Sequence, residues 1–215
     1  MIDIHSHVLF DMDDGAEDIE TSIELCRDSY MNGCDFLALT PHFFEYSYIE
    51  DFIEERDMRI TLLREALAKE NIPLEVLPGA ELFLSDRVFG ADNLDELTIN
   101  GTKYMLCEMS LLPFDTKNVT RWFDELIDQL IERGIIFQVN IDSLIGENGP
   151  EAQEMSIDMI RRGIAQLIAS DAHDLEFRHT RLIEKLNELP DIITEEQVER
   201  CLIHNPEKII NNEDI

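Results

Sequence analysis

Two histidines near the start of the chain are spaced as a pair of metal ligands. His5 and His7 follow a short apolar strand-like segment, and side chains two residues apart on a strand point to the same face. The apolar segment 167–169 is followed in the same way by Asp171 and His173. Neutral imidazole nitrogens and carboxylate oxygens bind zinc, iron and manganese. The two pairs together therefore predict a metal site of the kind that hydrolases use.

Further candidate ligands follow other apolar segments of the chain. They are His42 after segment 36–40, Glu81 after segment 74–77 and Glu108 after segment 104–107. Because strand-to-helix loops converge at the C-terminal ends of parallel strands, we expect these residues close to the first two pairs. A single histidine at a strand end is usually structural, but seven candidates at one rim favour metal binding. The loop 11–15 adds the carboxylates of Asp13 and Asp14, for which a turn or helix-capping role is the alternative.

Composition and charge limit the kind of protein this can be. The chain has 215 residues, of which 44% are hydrophobic, enough for one domain over residues 1–215 with a single large core. Its 47 acidic and 17 basic residues give a formal charge of −30, which disfavours nucleic acid and anionic membranes as partners. Solvated helix faces are the favoured explanation of this excess, and neutralisation by bound cations is the alternative.

Cysteine usage and the N-terminal sequence predict a cytoplasmic protein. The four cysteines are scattered without a Cys-x-x-Cys pair, which favours reduced, mostly buried thiols over a disulfide framework. Acidic residues begin at Asp3, which is unlike a signal peptide. No apolar run approaches the length of a membrane span, so membrane insertion is not expected.

Strand-like and helix-like segments alternate along the whole chain. Predicted strands cover about residues 2–5, 36–40, 74–77, 104–107, 135–139 and 165–169. Predicted helices cover about residues 18–32, 49–70, 119–133, 150–162, 180–188 and 195–204. This repeated pattern predicts an α/β fold with a parallel sheet, open or closed into a barrel, and with helices outside it.

Several short motifs resemble one bacterial enzyme family over nearly the whole chain. They are Met1-Ile-Asp-Ile-His-Ser-His7, Asp13-Asp14-Gly15-Ala16, Thr40-Pro41-His42, Leu77-Pro78-Gly79-Ala80-Glu81, Phe137-Gln-Val-Asn140, Ser170-Asp171-Ala172-His173 and Asn205-Pro206. Their combination resembles the metal-dependent protein-tyrosine phosphatases of the polymerase-and-histidinol-phosphatase (PHP) superfamily. Those enzymes act on the tyrosine autokinases that control capsule and exopolysaccharide synthesis. The resemblance implies a distorted PHP-type (βα)-barrel in a single domain.

The resemblance also implies a role for each matching residue. The first metal would be held by His5, His7, Glu81 and Asp171, and the second by Asp14, His42 and His173. Glu108, together with Glu81, would reach toward a third metal. Arg178 would bind phosphate. Apart from the resemblance, the chemistry leaves two candidates for the proton donor to the leaving group, a metal-bound water or a nearby acid such as Asp13. Manganese is the metal that such enzymes generally use, with iron or zinc as alternatives.

One motif of that family has no counterpart in this chain. The family carries Ala-His-Pro-Glu-Arg on a strand before the Gln-Val-Asn segment, whereas no histidine occurs here between His42 and His173. One strand–helix unit is therefore predicted to be absent, and the third site is left with carboxylates only. We expect two metals, a doubtful third site, and a barrel short of one unit or closed differently. Asn140 and Asp142 are candidates for a replacement ligand beside Glu108.

The expected reaction is hydrolysis of a phosphomonoester, with a phosphotyrosine-bearing tyrosine kinase as the favoured substrate. No Cys-x5-Arg sequence is present, so the cysteine-dependent mechanism of tyrosine phosphatases is excluded, and no glycine-rich nucleotide-binding motif occurs. Two alternatives remain open. One is another phosphoesterase of the superfamily, acting on histidinol phosphate or a nucleotide, and the other is a kinase-binding homologue with weak or no activity.

Overall fold

The computed structural model of the protein describes residues 1–85, 92–108 and 127–215. Its strands are β1 (Ile2–Asp3), β2 (Phe36–Leu39), β3 (His42–Phe43), β4 (Glu75–Pro78), β5 (Glu81–Phe83), β6 (Leu106–Glu108), β7 (Phe137–Asn140) and β8 (Ala165–Ala169). Its helices are α1 (Ile19–Met31), α2 (Ile49–Glu70), Ile141–Ile145, Pro150–Arg161, Leu182–Leu186, Glu195–Glu199 and Asn205–Ile210, with further helical residues at 127–132. A π-helical turn, Arg200–His204, joins the last two helices.

The observed strand pairs are all parallel. β2 lies between β1 and β4, β5 lies between β3 and β6, and β7 pairs with β8. A bridge between Ser6 and Ala172 places the end of β8 beside the end of β1. The Thr40 N–H donates to the Ser6 carbonyl at 2.9 Å, which continues the sheet toward β3. The strands therefore follow one another in the order β7, β8, β1, β2–β3, β4–β5 and β6.

The described strands form an open sheet, with β7 at one edge and β6 at the other. Within the described ranges, β6 pairs only with β5 and β7 pairs only with β8, so no closed barrel is formed by those residues. The predicted α/β class with a parallel sheet is confirmed. The predicted helix 119–133 lies partly outside the described residues, and its described part is helical at 127–132.

Local sequence signals explain where the first helices begin and end. The Asp18 carboxylate accepts the Thr21 N–H at 2.8 Å and caps the start of α1. Gly33 follows α1 with a φ of 81°, a left-handed conformation that glycine adopts without strain. Leu25 of α1 and Leu63 of α2 are fully buried in one cluster with side chains of β2 and β4. These two helices therefore cover the outside of the sheet, and the strand ends stay free for the site.

The second half of the fold has its own buried cluster. Ile168 of β8 packs against Ile160 of the helix Pro150–Arg161 and Leu182 of the helix Leu182–Leu186 in one buried cluster. The four cysteines are free thiols, and three of them are buried, as the sequence predicts. None of the described helices is both long and apolar enough to cross a membrane.

Candidate metal centre

Four of the predicted ligands converge: His5 and His7 lie just beyond β1, Glu81 begins β5, and Asp171 lies just beyond β8. The Nε2 atoms of His5 and His7 lie 3.1 Å apart. Each of these nitrogens lies 3.3 Å from Glu81 Oε2 and 3.4 Å from Asp171 Oδ1. Ligand atoms held about 2.0–2.2 Å from one ion lie within about 4.4 Å of one another. The ligand atoms of His5, His7 and Glu81 meet this spacing and suit a shared cation, and Asp171 approaches both imidazoles. Both imidazoles and the Glu81 carboxylate are buried.

A second group of potential ligands adjoins the first. His7, Asp14, His42 and His173 offer ligand atoms within 4.8 Å of one another. Asp14 Oδ1 lies 3.6 Å from His42 Nε2 and 3.5 Å from His173 Nε2. The His173 ring stacks on the His7 ring with their centroids 3.9 Å apart. The buried Nε2 of His173 has no hydrogen-bond partner among the described residues, which fits a nitrogen that binds a metal.

The third group contains an imidazole in addition to the two carboxylates. His42 Nδ1 lies 3.0 Å from Glu81 Oε2 and 3.5 Å from Glu108 Oε1. The sequence predicts only carboxylates in this third group. The structure adds His42, because its Nε2 faces the second group and its Nδ1 faces the third. Glu108 is thus brought to the centre as predicted. Its neighbour His42 was predicted as a ligand of the second group alone.

Short continuations of two strands place these side chains. β3 and β5 follow β2 and β4 after a bend, and their pairing sets His42 directly opposite Glu81. At the end of β8, Asp171 adopts a φ of 52°, a left-handed conformation that is uncommon for a residue with a side chain and is frequent at functional sites. The Asp171 N–H donates to the His5 carbonyl at 3.0 Å. The backbone segment that carries His5 and His7 is therefore hydrogen-bonded directly to the segment that carries Asp171 and His173.

The loop after β1 holds His7 in place. Asp13 Oδ2 lies 2.6 Å from His7 Nδ1 and accepts the His42 N–H at 2.8 Å, while Asp13 Oδ1 accepts the Gly15 N–H at 3.0 Å. Burial by itself raises the pKa of Asp13, but the hydrogen bond with His7 lowers it below its usual value. These contacts suit a role for Asp13 as a hydrogen-bond acceptor that orients His7. They suit the predicted role of Asp13 as a proton donor less well.

Asp171 Oδ2, the carboxylate oxygen that does not face His5 and His7, accepts hydrogen bonds from two further side chains. Arg178 donates to Asp171 Oδ2 at 2.5 Å, and Asn140 Nδ2 donates to the same oxygen at 2.6 Å. Gln138 Nε2 donates to Asn140 Oδ1 at 2.9 Å and lies 3.0 Å from His5 Nδ1. Gln138 and Asn140 are thus functional candidates that support the ligands His5 and Asp171. This supporting role was not predicted from the sequence, although both residues belong to the Gln-Val-Asn motif. Their alternation on β7, which points both toward the centre, was the available signal.

The two residues suggested as replacement ligands beside Glu108 make other contacts. Asn140 binds Asp171, as described above. Asp142 forms an ion pair with Lys185, and both side chains of this pair are almost completely buried. The suggestion is therefore wrong, because the short helix after β7 turns Asp142 into the core beneath the site.

The charges of the centre are strongly coupled. Burial alone lowers the pKa of His7, but its hydrogen bonds with Asp13, Asp171 and Glu81 raise it to about 11. Burial and the nearby charge of His7 lower the pKa of His173 to about 4. Burial raises the pKa of Asp171, but the hydrogen bond with His7 and the nearby charges of His5 and Arg178 bring it down to about 2. Without a metal, positive charge is therefore concentrated on His7 among ionised carboxylates, the position that a cation would take.

Buried imidazoles and carboxylates at the rim of a parallel sheet define an α/β protein with a candidate polynuclear metal centre. Within this class, the chain belongs to the capsular polysaccharide synthesis family CpsB/CapC, whose family model matches residues 1–123 and 116–211. The family resemblance seen in the motifs is thereby confirmed.

Named relatives agree with this assignment. The tyrosine-protein phosphatase YwqE of Bacillus subtilis (strain 168) is 31% identical over 236 residues, covering 91% of this chain and 89% of the relative. The tyrosine-protein phosphatase CpsB of Streptococcus agalactiae serotype V is 24% identical over 245 residues, covering 99% of each. A solved structure described as YwqE from Bacillus subtilis and CpsB from Streptococcus pneumoniae, metal-dependent tyrosine phosphatases, matches with a TM-score of 0.81. That match has 29% identity and covers 100% of this chain and 96% of the other.

Proposed function

We propose that this protein is a metal-dependent protein-tyrosine phosphatase. The observation that carries the proposal is the convergence of the predicted ligands into adjoining groups, in a chain whose relatives are named tyrosine-protein phosphatases. Its substrate would be phosphotyrosine on a tyrosine kinase that regulates capsule or exopolysaccharide synthesis. Manganese is the proposed metal, with iron or zinc as alternatives that the same ligands would accept.

Two metals would be held by the first two groups of ligands. His5, His7, Glu81 and Asp171 suit the first site, and Asp14, His42 and His173 suit the second. When bound, the metals would supply activation of a water molecule and neutralisation of phosphate charge. The third group, with Glu108, borrows His42 and Glu81 from its neighbours, and for this reason we propose that it is weakly filled or empty.

The residues around the metals have separate tasks in this proposal. Asp13 keeps His7 oriented, and Asn140 and Gln138 do the same for Asp171 and His5. The guanidinium of Arg178 is anchored on Asp171, while 43% of the side chain remains exposed at the rim. Its remaining donors can bind a phosphate oxygen of the substrate and offset charge that develops during transfer.

We also propose that the fold is a PHP-type barrel that lacks one strand–helix unit. In support, β6 and β7 follow one another along the described part of the chain, yet they lie at opposite edges of the sheet and do not pair within the described ranges. The alignment with the Streptococcus agalactiae relative spans 245 positions, whereas this chain has 215 residues, so the alignment contains gaps in this chain. A unit inserted between β6 and β7 would fill the open side of the sheet.

The proposed function is tested by metal titration of the purified protein. Metal-stripped protein is titrated with Mn²⁺ while bound metal is counted and hydrolysis of p-nitrophenyl phosphate and a phosphotyrosyl peptide is followed. Turnover that rises to a plateau near two metals per chain is expected. Two bound metals without turnover on either substrate would instead indicate the inactive, kinase-binding homologue.

Two matched variants and a substrate panel complete this test. His5→Ala removes a proposed ligand and should reduce both metal binding and turnover by at least about 100-fold, more than loss of an outer hydrogen bond. His204→Ala makes the same change at an exposed histidine and should leave both unchanged. Histidinol phosphate and nucleotide monophosphates, assayed beside the phosphotyrosyl peptide, separate the proposed substrate from those of other phosphoesterases.

A further inference from the structure

The site-facing side of β3 and β5 carries aromatic rings one step beyond the proposed ligands. His42 pairs with Glu81 and Phe43 with Leu82, so the next residue along, Phe44, comes beside Phe83. Phe83 lies two residues after Glu81 on β5 and shares its face, and Phe44, which directly follows β3, contacts the rings of both His42 and Phe83. The phenyl rings of Phe44 and Phe83 therefore lie next to the side chains of the proposed ligands.

Ring contacts place Phe44 directly against this centre. Its ring centroid lies 5.1 Å from that of His42 with an interplanar angle of 34°, and 5.9 Å from that of Phe83 with an angle of 48°. Centroid separations of 4.5–7 Å are those of interacting aromatic pairs. Phe44 is thus held beside a proposed metal ligand by two aromatic neighbours.

Phe44 is exposed although its neighbour in sequence is core. Phe43 is 3% exposed and packs against Tyr46 and Phe52, whereas Phe44 is 50% exposed. An exposed phenyl ring beside polar ligands leaves apolar surface in water, a surface that an aromatic ligand could cover. Across the centre, Arg178 offers the positive charge for a phosphate group.

We propose that Phe44 and Phe83 form an aromatic wall that binds the aryl ring of the substrate while its phosphate lies at the metal centre. This inference rests on the proposed function and specifies how the same site selects its substrate. An aryl phosphate covers the Phe44 ring and gains an aromatic contact, whereas an alkyl phosphate of similar charge gains neither. The wall therefore favours phosphotyrosine over phosphoserine and sugar phosphates.

The test uses phosphonates, which are not hydrolysed, as probes. Dissociation constants of phenylphosphonate and methylphosphonate are measured by calorimetry on the Mn²⁺-loaded protein, with bound metal counted in every sample. An aromatic pair contributes about 0.5–1.5 kcal/mol beyond area burial, which corresponds to about 2- to 12-fold in affinity. We expect wild-type protein to prefer phenylphosphonate, and Phe44→Ala to lower that preference by about 2- to 12-fold.

Two further variants sharpen the comparison. Phe177→Ala makes the same change at a side chain that is 76% exposed and lies next to Arg178 in sequence, and it should retain the wild-type preference. Phe44→Trp should retain the preference because it keeps an aromatic face. Phe44→Leu keeps an apolar contact with His42 and should lose the preference, which covers the case in which the alanine variant fails to fold.

The outcomes separate this inference from the proposed function. A wild-type protein that binds both phosphonates equally, or a Phe44→Leu variant with full metal content and unchanged preference, would overturn the aromatic wall. Equal losses in Phe177→Ala and Phe44→Ala would also overturn it, because the effect would then not be specific to this face. A protein that retains the aryl preference but hydrolyses no phosphotyrosyl peptide would support the wall and contradict the proposed phosphatase activity.

Discussion

Removing the amide of Gln138 should weaken metal binding without removing a ligand. Gln138 Nε2 lies 3.0 Å from His5 Nδ1 and donates to Asn140 Oδ1 at 2.9 Å, while Asn140 holds Asp171 at 2.6 Å. Gln138→Leu keeps the approximate volume and deletes both contacts. Two neutral hydrogen bonds contribute about 1–3 kcal/mol together, so we expect a loss of about 5- to 150-fold in metal affinity.

The position of Gln138 beside His5 also predicts how Gln138→Glu changes metal affinity. A metal on His5 Nε2 requires the proton of this imidazole to be on Nδ1, which then needs an acceptor. Gln138 Oε1 is buried and has no hydrogen-bond partner among the described residues, so rotation of the amide by 180° would supply one. Gln138→Glu places a carboxylate oxygen beside His5 Nδ1 in either orientation but removes the donor to Asn140 Oδ1, so it should bind metal more tightly than Gln138→Leu.

Competition with a fluorescent chelator measures these affinities. Gln166→Leu is the matched control, because this glutamine on β8 donates instead to the Gly163 carbonyl and should leave metal affinity unchanged. Metal affinity of Gln138→Leu equal to that of the wild-type protein, with both variants folded, would refute the reasoning. It would mean that His5 and Asp171 keep their positions without support from β7.

Three other perturbations probe the loop, the core and the charge of the centre. A Cβ on Gly15 would lie 1.9 Å from the His7 carbonyl oxygen, so Gly15→Ala should displace the loop and reduce the metal counted per chain. Lys185→Met leaves the buried Asp142 unpaired and should lower the free energy of unfolding in urea by about 3–5 kcal/mol. Because hydrogen bonds hold the pKa of His7 near 11, metal-free protein keeps a proton there between pH 6 and 8. Metal binding must release this proton, so affinity should rise by up to about tenfold per pH unit, as measured by chelator competition.

Each of these expectations has an outcome that contradicts it. A Gly15→Ala variant with the full metal content would show that the loop can move away from His7 without affecting the site. Unfolding free energies that are equal for wild type and Lys185→Met would contradict an unpaired buried carboxylate, and the double variant with Asp142→Leu should recover stability. Metal affinity that does not change with pH would show that His7 is neutral before the metal binds.

Much of the fold is determined by short-range patterns in the sequence. The range predicted for α2, 49–70, and the range predicted for β8, 165–169, agree with the observed elements. Such segments are set by apolar periodicity and by end signals that lie within a few residues. The same local logic places ligand pairs two residues apart on a strand end, so the candidate metal site could be predicted without tertiary information.

The tertiary structure decided how those residues meet. His42 lies between two ligand groups because β3 pairs with β5, and Asp13 supports His7 because the loop after β1 folds back on it. Gln138 comes to His5 across 133 residues of chain. Contacts of this kind depend on strand order and on where each loop returns, which local sequence preferences do not specify. The sequence alone therefore determined which residue types were available for a metal site, and packing determined which atoms face one another.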